Sequence, residues 1–225
     1  MGQYYKAVNI DKHEYLEAYS FGGGAKLMES CHVGNDFVNA LTALLAGPWH
    51  GDRVMYIGNY AWYHCIVRRR ADSGSGLLRE LNEGGEFACD PLTVARGRDD
   101  VADRCYVPNM FTRVFNGWNG GEPVCETITV PGHADTLDCE PMRYVVNETQ
   151  GVYYDREKLE PQQDGCLAQD PLLIFLAVGN GLGDGDYLSN MNVGLVGSWA
   201  CQTISASNER PVGLREIASP FDPNA

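Results

Sequence analysis

The chain has 225 residues, enough for one domain with a hydrophobic core, and its 44% hydrophobic and 21% charged residues exclude wholesale disorder. A formal net charge of −13 disfavours a nucleic acid as partner, because binding to a phosphate backbone relies on lysine and arginine. No apolar run approaches the roughly 20 residues of a membrane span, and no signal peptide is visible. We therefore expect a cytoplasmic protein that does not enter a membrane.

The first predicted elements are a hairpin and a helix. Tyr4–Asn9 and Glu14–Tyr19 are β-prone stretches on either side of a polar turn. Residues 35–46 carry apolar residues at helical spacing, with Asn35 or Asp36 as N-cap and Gly47-Pro48 as the stop. Further strands are predicted at 53–57, 124–130, 143–146, 152–154, 172–178 and 199–205.

These elements predict an α+β fold, with a mainly antiparallel sheet and few helices. Strands outnumber helices, and the links between them are short, which favours antiparallel pairing. Residues 70–105 hold many Gly, Asp, Arg and Pro residues with no sustained period, and residues 65–120 are expected to form a loop-rich insertion. We expect residues 1–225 to fold as a single compact domain.

Two short patterns occur twice in the same order. Val8-Asn9 followed by Tyr15 is matched by Val146-Asn147 followed by Tyr153, and Gly47-Pro48-Trp49 is echoed by Gly197-Ser198-Trp199. The order favours a diverged duplication with half-repeats at 1–64 and 139–210, related by a pseudo-twofold axis. The alternative is chance recurrence of aromatic hairpins and Gly-x-Trp turns.

The chain also resembles a family of uncharacterised proteins from bacteriophages and bacteria, especially actinobacteria. The segments that carry the resemblance are the N-terminal Met-Gly-Gln-Tyr-Tyr motif with residues 6–9, and residues 26–29, 51–54, 179–187 and 196–200. Family members have Gly-Asp-Tyr-Ala where this chain has Gly58-Asn59-Tyr60-Ala61, and Trp-Ala-Gly-Asp where it has Trp199-Ala200-Cys201-Gln202. The resemblance implies no activity or catalytic residue, and both departures remove a carboxylate.

The most distinctive candidate site is the Gly-rich acidic loop at residues 179–187. Four glycines in seven residues cost backbone entropy on folding, which favours close approach of a ligand or of another backbone. Within the loop Asn180, Asp184 and Asp186 offer polar groups and Tyr187 a stacking face, and Trp49 and Trp199 are predicted to supply apolar walls. The loop matches neither the dinucleotide fingerprint nor an EF-hand. A structural turn is the alternative.

Catalytic and cofactor motifs are weak in this sequence. The eight cysteines include no close pair, so we expect reduced, mostly buried thiols. His13-Glu14-Tyr15-Leu16-Glu17 lacks the second histidine of a zinc-protease helix, and no P-loop or nucleophile elbow is present. These features favour a protein without cofactor that is not an enzyme.

The sequence supports two hypotheses about the function. The first is a non-catalytic intracellular binding protein, carried by a phage, that acts on a host protein or a small ligand. The second is a metal-assisted hydrolase that uses Asp184 and Asp186 as oxygen ligands.

Overall fold

The computed structural model describes residues 4–12, 14–21, 24–58, 126–127, 140–161, 167–178, 195–218 and 220–221. The elements of the first part are β1 (Tyr5–Asn9), β2 (Glu14–Glu17), α1 (Leu27–Ser30), α2 (Asp36–Ala46), β3 (Asp52–Gly58) and β4 (Glu126–Thr127). Those of the second part are β5 (Tyr144–Asn147), β6 (Val152–Asp155), α3 (Leu172–Leu176), β7 (Ala177–Val178), β8 (Gln202–Ser207) and β9 (Arg215–Glu216). A short 3-10 helix follows β2 at Ala18–Phe21, and another follows β6 at Arg156–Lys158.

The described strands form one mixed, mainly antiparallel sheet, which confirms the predicted α+β class. Their order is β4-β2-β1-β3-β8-β5-β6-β9, and β7 pairs with β3 beside this path. Three pairings are parallel, namely β2 with β4, β3 with β7, and β6 with β9. The antiparallel β3–β8 pair joins the two parts of the sheet at its centre.

The two hairpins of the sheet share one register. In the first, Ala7 lies opposite Leu16 and Asn9 opposite Glu14. In the second, each partner is found 138 positions further along the chain, so that Val145 lies opposite Tyr154 and Asn147 opposite Val152. The neighbouring strands correspond at a different shift, of 150 positions, because Asn9 pairs with Val54 of β3 and Asn147 with Ile204 of β8.

Helix α2 forms where the apolar period predicted a helix. The side chain of Asn35 accepts hydrogen bonds from the backbone N–H groups of Phe37, at 2.9 Å, and Val38, at 3.4 Å, which caps the first turn. Phe37 and Leu41 are among the fully buried side chains of the face that packs on the core.

The prediction of a strand over residues 172–178 is wrong for most of its length. Leu172–Leu176 is a short helix, and only Ala177–Val178 is a strand. A continuous apolar run does not separate a buried strand from a buried helix by period. The helix begins here because the Asp170 side chain accepts a hydrogen bond from the backbone N–H of Leu172 at 3.0 Å, with Pro171 in the helical region between them.

Two other predicted strands have shifted bounds. The strand predicted over 199–205 begins at Gln202 and runs to Ser207, since residues 195–201 form turns. Within the stretch predicted over 124–130, the described strand is Glu126–Thr127. No helix in the described part of the chain is long and apolar enough to cross a membrane.

One hydrophobic core contains residues of both parts of the chain. Helix α2 packs against β8, and α3 packs against β3. Each helix therefore covers the strand of the other part. The core cluster includes Trp49 and Trp199, which are 0% and 2% exposed.

Candidate functional site

The turn between β1 and β2 is held by a buried asparagine. The Asn9 side-chain oxygen accepts hydrogen bonds from the backbone N–H groups of Asp11, at 3.0 Å, and Lys12, at 2.9 Å. Its amide nitrogen donates to the Asp52 carboxylate at 2.7 Å. The Lys12 ammonium also donates to Asp52 and to the backbone oxygen of Pro48. Asn9 therefore ties the hairpin to the start of β3.

The turn between β5 and β6 has the same network with uncharged side chains. Asn147 accepts a hydrogen bond from the backbone N–H of Gln150 at 3.0 Å and donates to the side-chain oxygen of Gln202 at 2.6 Å. Gln150 donates to Gln202 at 2.9 Å and to the backbone oxygen of Ser198 at 3.3 Å. Gln150 and Gln202 thus make the contacts that Lys12 and Asp52 make in the first hairpin.

The turns that lead into β3 and β8 also correspond. Gly51 and Cys201 both have a positive φ, of 72° and 63°. The Gly51 N–H donates to the backbone oxygen of Ile204 at 3.2 Å, and the Cys201 N–H donates to that of Val54 at 2.8 Å. These two hydrogen bonds extend the pairing of β3 with β8 at its two ends.

A buried ion pair fastens α3 to the second hairpin. The Arg156 guanidinium donates to the Asp170 carboxylate at 2.6 Å, and the Tyr154 hydroxyl donates to the same carboxylate at 2.7 Å. Arg156 also donates to the side-chain oxygen of Asn39 at 3.1 Å and to the backbone oxygen of Met142 at 2.9 Å. Burial raises the pKa of Tyr154, so its hydroxyl stays protonated and donates. The side chains of this network therefore stabilise the fold.

The described cysteines, Cys31 and Cys201, are buried thiols, as predicted. Burial raises the pKa of Cys31 to about 12, and the negative charge of Asp170 acts in the same direction. A thiol with so high a pKa is a poor nucleophile at neutral pH. The other six cysteines lie outside the described residues, and their reduced state stays a prediction.

Two neighbouring tyrosines form an exposed aromatic surface at the start of the chain. Tyr4 is 44% and Tyr19 is 57% exposed, and their ring centroids are 6.3 Å apart. The 3-10 helix after β2 buries Ala18 and Phe21, which turns Tyr19 outward. We call Tyr4 and Tyr19, with the adjacent carboxylates Glu17 and Glu29, the tyrosine surface.

The electrostatics of the tyrosine surface are negative around Tyr19. Desolvation raises the pKa of Tyr19, and the neighbouring Tyr4, Glu29 and Glu17 raise it further, against an opposing effect of Lys26. Both carboxylates also have a cation of the chain nearby, since Lys6 lies 2.9 Å from Glu17 and Lys26 lies 3.4 Å from Glu29.

The corresponding surface of the second hairpin carries its own arginine. Arg143 donates two hydrogen bonds to Asp155, at 3.1 Å and 2.9 Å, and lies 2.6 Å from Glu157. Its guanidinium carbon is 5.0 Å from the ring centroid of Tyr144. Burial acts to raise the pKa of Asp155, but the hydrogen bonds and charge of Arg143 outweigh it and hold the pKa below its usual value.

The structure describes only some of the candidate site residues that were predicted from the sequence. Trp49 and Trp199 lie in the core, where the Trp49 indole N–H donates to Glu14 at 2.6 Å and the Trp199 ring packs 4.6 Å from Phe175. The predicted loop residues Asn180, Asp184, Asp186 and Tyr187 lie outside the described residues. Their role in ligand or metal binding stays a prediction.

Sequence reasoning missed the tyrosine surface, although a signal was present. Tyr5 and Leu16 face the core, so the alternation of the strands places their neighbours Tyr4 and Glu17 outside. The extra turn that exposes Tyr19 depends on the 3-10 helix, which the sequence pattern did not reveal.

Neither a metal cluster among the described residues nor a similar known protein indicates a function for this chain. Within the described ranges, no group of three or more His, Cys, Asp or Glu side chains could hold a metal ion. Comparison with known protein families, with curated proteins and with solved structures finds no match.

Proposed function

We propose that this chain is a non-catalytic binding protein whose partner is another protein. The observation that carries the proposal is the adjacent, exposed pair Tyr4 and Tyr19. Tyrosine is enriched in protein interfaces because it buries a large area and keeps a polar end. With the resemblance to phage and bacterial proteins, the partner is a host protein in the cytoplasm.

The state of the buried reactive groups supports binding over catalysis. Asp170 is saturated by Arg156 and Tyr154, and the thiol of Cys31 stays protonated at neutral pH. A general base or nucleophile needs a pKa near the working pH and access to substrate. These groups instead hold the sheet and helices together.

The proposal includes a diverged internal duplication with half-repeats at 1–64 and 139–210. The matched register of the two hairpins supports it, as do the matched contacts of Asn9 and Asn147. Duplication gives two copies of one surface, of which one can diverge toward a partner while the other keeps its internal contacts.

A selection experiment tests the binding function. The purified protein is offered a displayed library of short random peptides, with a Tyr4→Ser, Tyr19→Ser double variant as counter-selection. Both positions are exposed, so the variant should unfold at the temperature of the parent. We expect enriched peptides that bind the parent and lose most of their binding to the variant.

Two results would count against this function. One is an enriched set that binds parent and variant equally, or no enrichment at all. The other is stoichiometric bound metal in elemental analysis, together with a hydrolytic activity that chelation abolishes, which would favour the hydrolase that uses Asp184 and Asp186.

A further inference from the structure

We propose that residues 208–216 form a strap that opens locally over one face of the second hairpin, and that the carboxylate of Glu216 holds the strap closed. The strap lies between Ser207, the last residue of β8, and Ile217, whose side chain packs against the main core. It is separate from the tyrosine surface on the first hairpin, so its opening is independent of the proposed binding function.

The strap covers a small apolar cluster that is distinct from the main core. Tyr144, Val146 and Tyr153 form this cluster, and Leu214 of the strap packs against them. The neighbouring Tyr154 belongs to the main core, so the alternation of side chains along the strands places the cluster on the opposite face of the sheet. Opening of the strap therefore uncovers an aromatic face.

The backbone of the strap is held at the edge of the sheet by a short strand. Strand β9 pairs with β6 over Arg215 and Glu216 alone. The Arg215 N–H donates to the backbone oxygen of Gly151 at 3.0 Å. Six of the nine strap residues are exposed and none is buried. A segment with so little buried surface opens at a smaller free energy than the core does.

The side chain of Glu216 makes the polar contacts between the strap and the sheet. Its carboxylate accepts hydrogen bonds from the Lys158 ammonium and, at 3.2 Å, from the Tyr153 hydroxyl. Arg210, near the start of the strap, donates to the same carboxylate at 3.1 Å and to the Tyr153 hydroxyl oxygen at 3.0 Å. One carboxylate thus joins both ends of the strap to the second hairpin.

Protonation of Glu216 weakens these contacts. The hydrogen bond from Lys158 and the charges of Lys158 and Arg210 outweigh desolvation and hold the pKa of Glu216 below its ordinary value. A carboxylate with a lowered pKa stabilises the closed strap above its ordinary pKa, and this stabilisation is lost as the pH falls through the lowered value. The other titratable groups nearby are Asp155, close to Lys158, and Tyr144, close to Arg210.

The cluster and the carboxylate that holds its cover occur together in the second half of the chain. Strand β4 pairs with β2 in the parallel sense, as β9 does with β6. In the first hairpin, however, Lys6 takes the place of Tyr144, and Thr127 of β4 takes the place of Glu216. The strap contacts are therefore a feature by which the two halves differ.

The test is hydrogen exchange of single backbone N–H groups in the full chain, followed by nuclear magnetic resonance. The Arg215 N–H reports on the strap, and the Cys201 N–H, which donates to Val54 at 2.8 Å, reports on the centre of the sheet. We expect the Arg215 N–H to be at least about ten-fold less protected than the Cys201 N–H, because the strap opens while the sheet stays intact.

Matched variants test what holds the strap closed. Glu216→Gln keeps the shape of the side chain and should lower the protection of the Arg215 N–H about three- to five-fold, the effect of an exposed ion-pair network. Leu214→Ala removes the apolar contact with the cluster and should lower it about ten-fold. Glu209→Gln removes a charge from an exposed position of the same strap and is the control. Thermal unfolding checks that each variant folds.

The pH dependence and the variants give separate ways to overturn the proposal. The parent and Glu216→Gln should converge in the protection of the Arg215 N–H as the pH falls from about 7 to about 3. Equal protection of the Arg215 and Cys201 N–H groups in the parent would show that the strap does not open by itself. Equal effects of Glu216→Gln and Glu209→Gln would overturn the role of Glu216, and an unchanged Leu214→Ala would overturn the covered aromatic face.

Discussion

The two asparagine networks reach one geometry with different side chains. In the first hairpin Lys12 and Asp52 are charged, and in the second Gln150 and Gln202 are neutral. In both, the buried asparagine keeps an acceptor for its amide group. The geometry therefore depends on a donor and an acceptor at these positions, and charge is the part that varies.

This comparison predicts how stability changes when the side chains of the first network are replaced by those of the second. We expect Lys12→Gln with Asp52→Gln to change the free energy of unfolding by less than about 1 kcal/mol, because exposed ion pairs contribute about that much or less. Asp52→Ala should cost about 1–3 kcal/mol, because Asn9 is fully buried and would lose its acceptor. Urea unfolding of each variant measures both values.

A control variant separates charge from hydrogen bonding in this prediction. Asp52→Asn removes the charge and keeps an acceptor, so its cost should lie between those of the double variant and Asp52→Ala. If the double variant were as unstable as Asp52→Ala, the two networks would not be interchangeable, and their likeness would be one of shape alone.

Two side chains bond to the first turn of a helix, and they differ in their other contacts. Asn35, the N-cap of α2, accepts hydrogen bonds from the first turn. Asp170, which precedes the N-cap Pro171 of α3, accepts one from the backbone N–H of Leu172 and others from Arg156 and Tyr154. Loss of the Asp170 carboxylate would leave a buried guanidinium without its partner.

We therefore expect unequal costs when Asn35 and Asp170 are replaced by alanine. Asn35→Ala should lower the free energy of unfolding by about 0.5–2 kcal/mol, the usual value of an N-cap. Asp170→Ala should lower it by about 3–5 kcal/mol, the cost of breaking a buried ion pair. Chemical denaturation monitored by circular dichroism gives both values. Equal losses would mean that the Arg156 pair adds nothing to the stability of α3.

An element is predictable from the sequence where its local signals agree. Helix α2 was predicted with its cap, because period, Asn35 and Gly47-Pro48 all indicate the same element. The five consecutive apolar residues of α3 have no period and therefore also fit a buried strand, and the local signal for a helix is Asp170-Pro171. The tyrosine surface was missed for a different reason, since Tyr4 and Tyr19 meet only after the hairpin has formed.

At the scale of the whole molecule, the two parts of the chain are joined through one core. The β3–β8 pair continues the sheet from one part into the other, α2 packs against β8, and α3 packs against β3. Residues 32 and 169 add an antiparallel bridge between the segments that precede α2 and α3. Each part therefore needs the other to bury the apolar face of its helix.

This arrangement predicts how the chain behaves when it is cut between residues 134 and 135. Neither fragment, 1–134 or 135–225, should fold alone as a monomer, because α2 and α3 would each lose the strand that they cover. Mixed in equal amounts, the fragments should form a complex with one cooperative thermal transition. Size-exclusion chromatography and circular dichroism of each fragment and of the mixture measure this.

A variant in the interface controls for nonspecific association of the fragments. Ile204 is fully buried in β8 and pairs with Asp52 of β3 and with Asn147 of β5. Ile204→Ala in the second fragment should cost about 2–5 kcal/mol through the cavity it leaves, and should weaken the complex strongly. A first fragment that unfolds cooperatively by itself, or a complex that tolerates this substitution, would show that the two parts are independently stable.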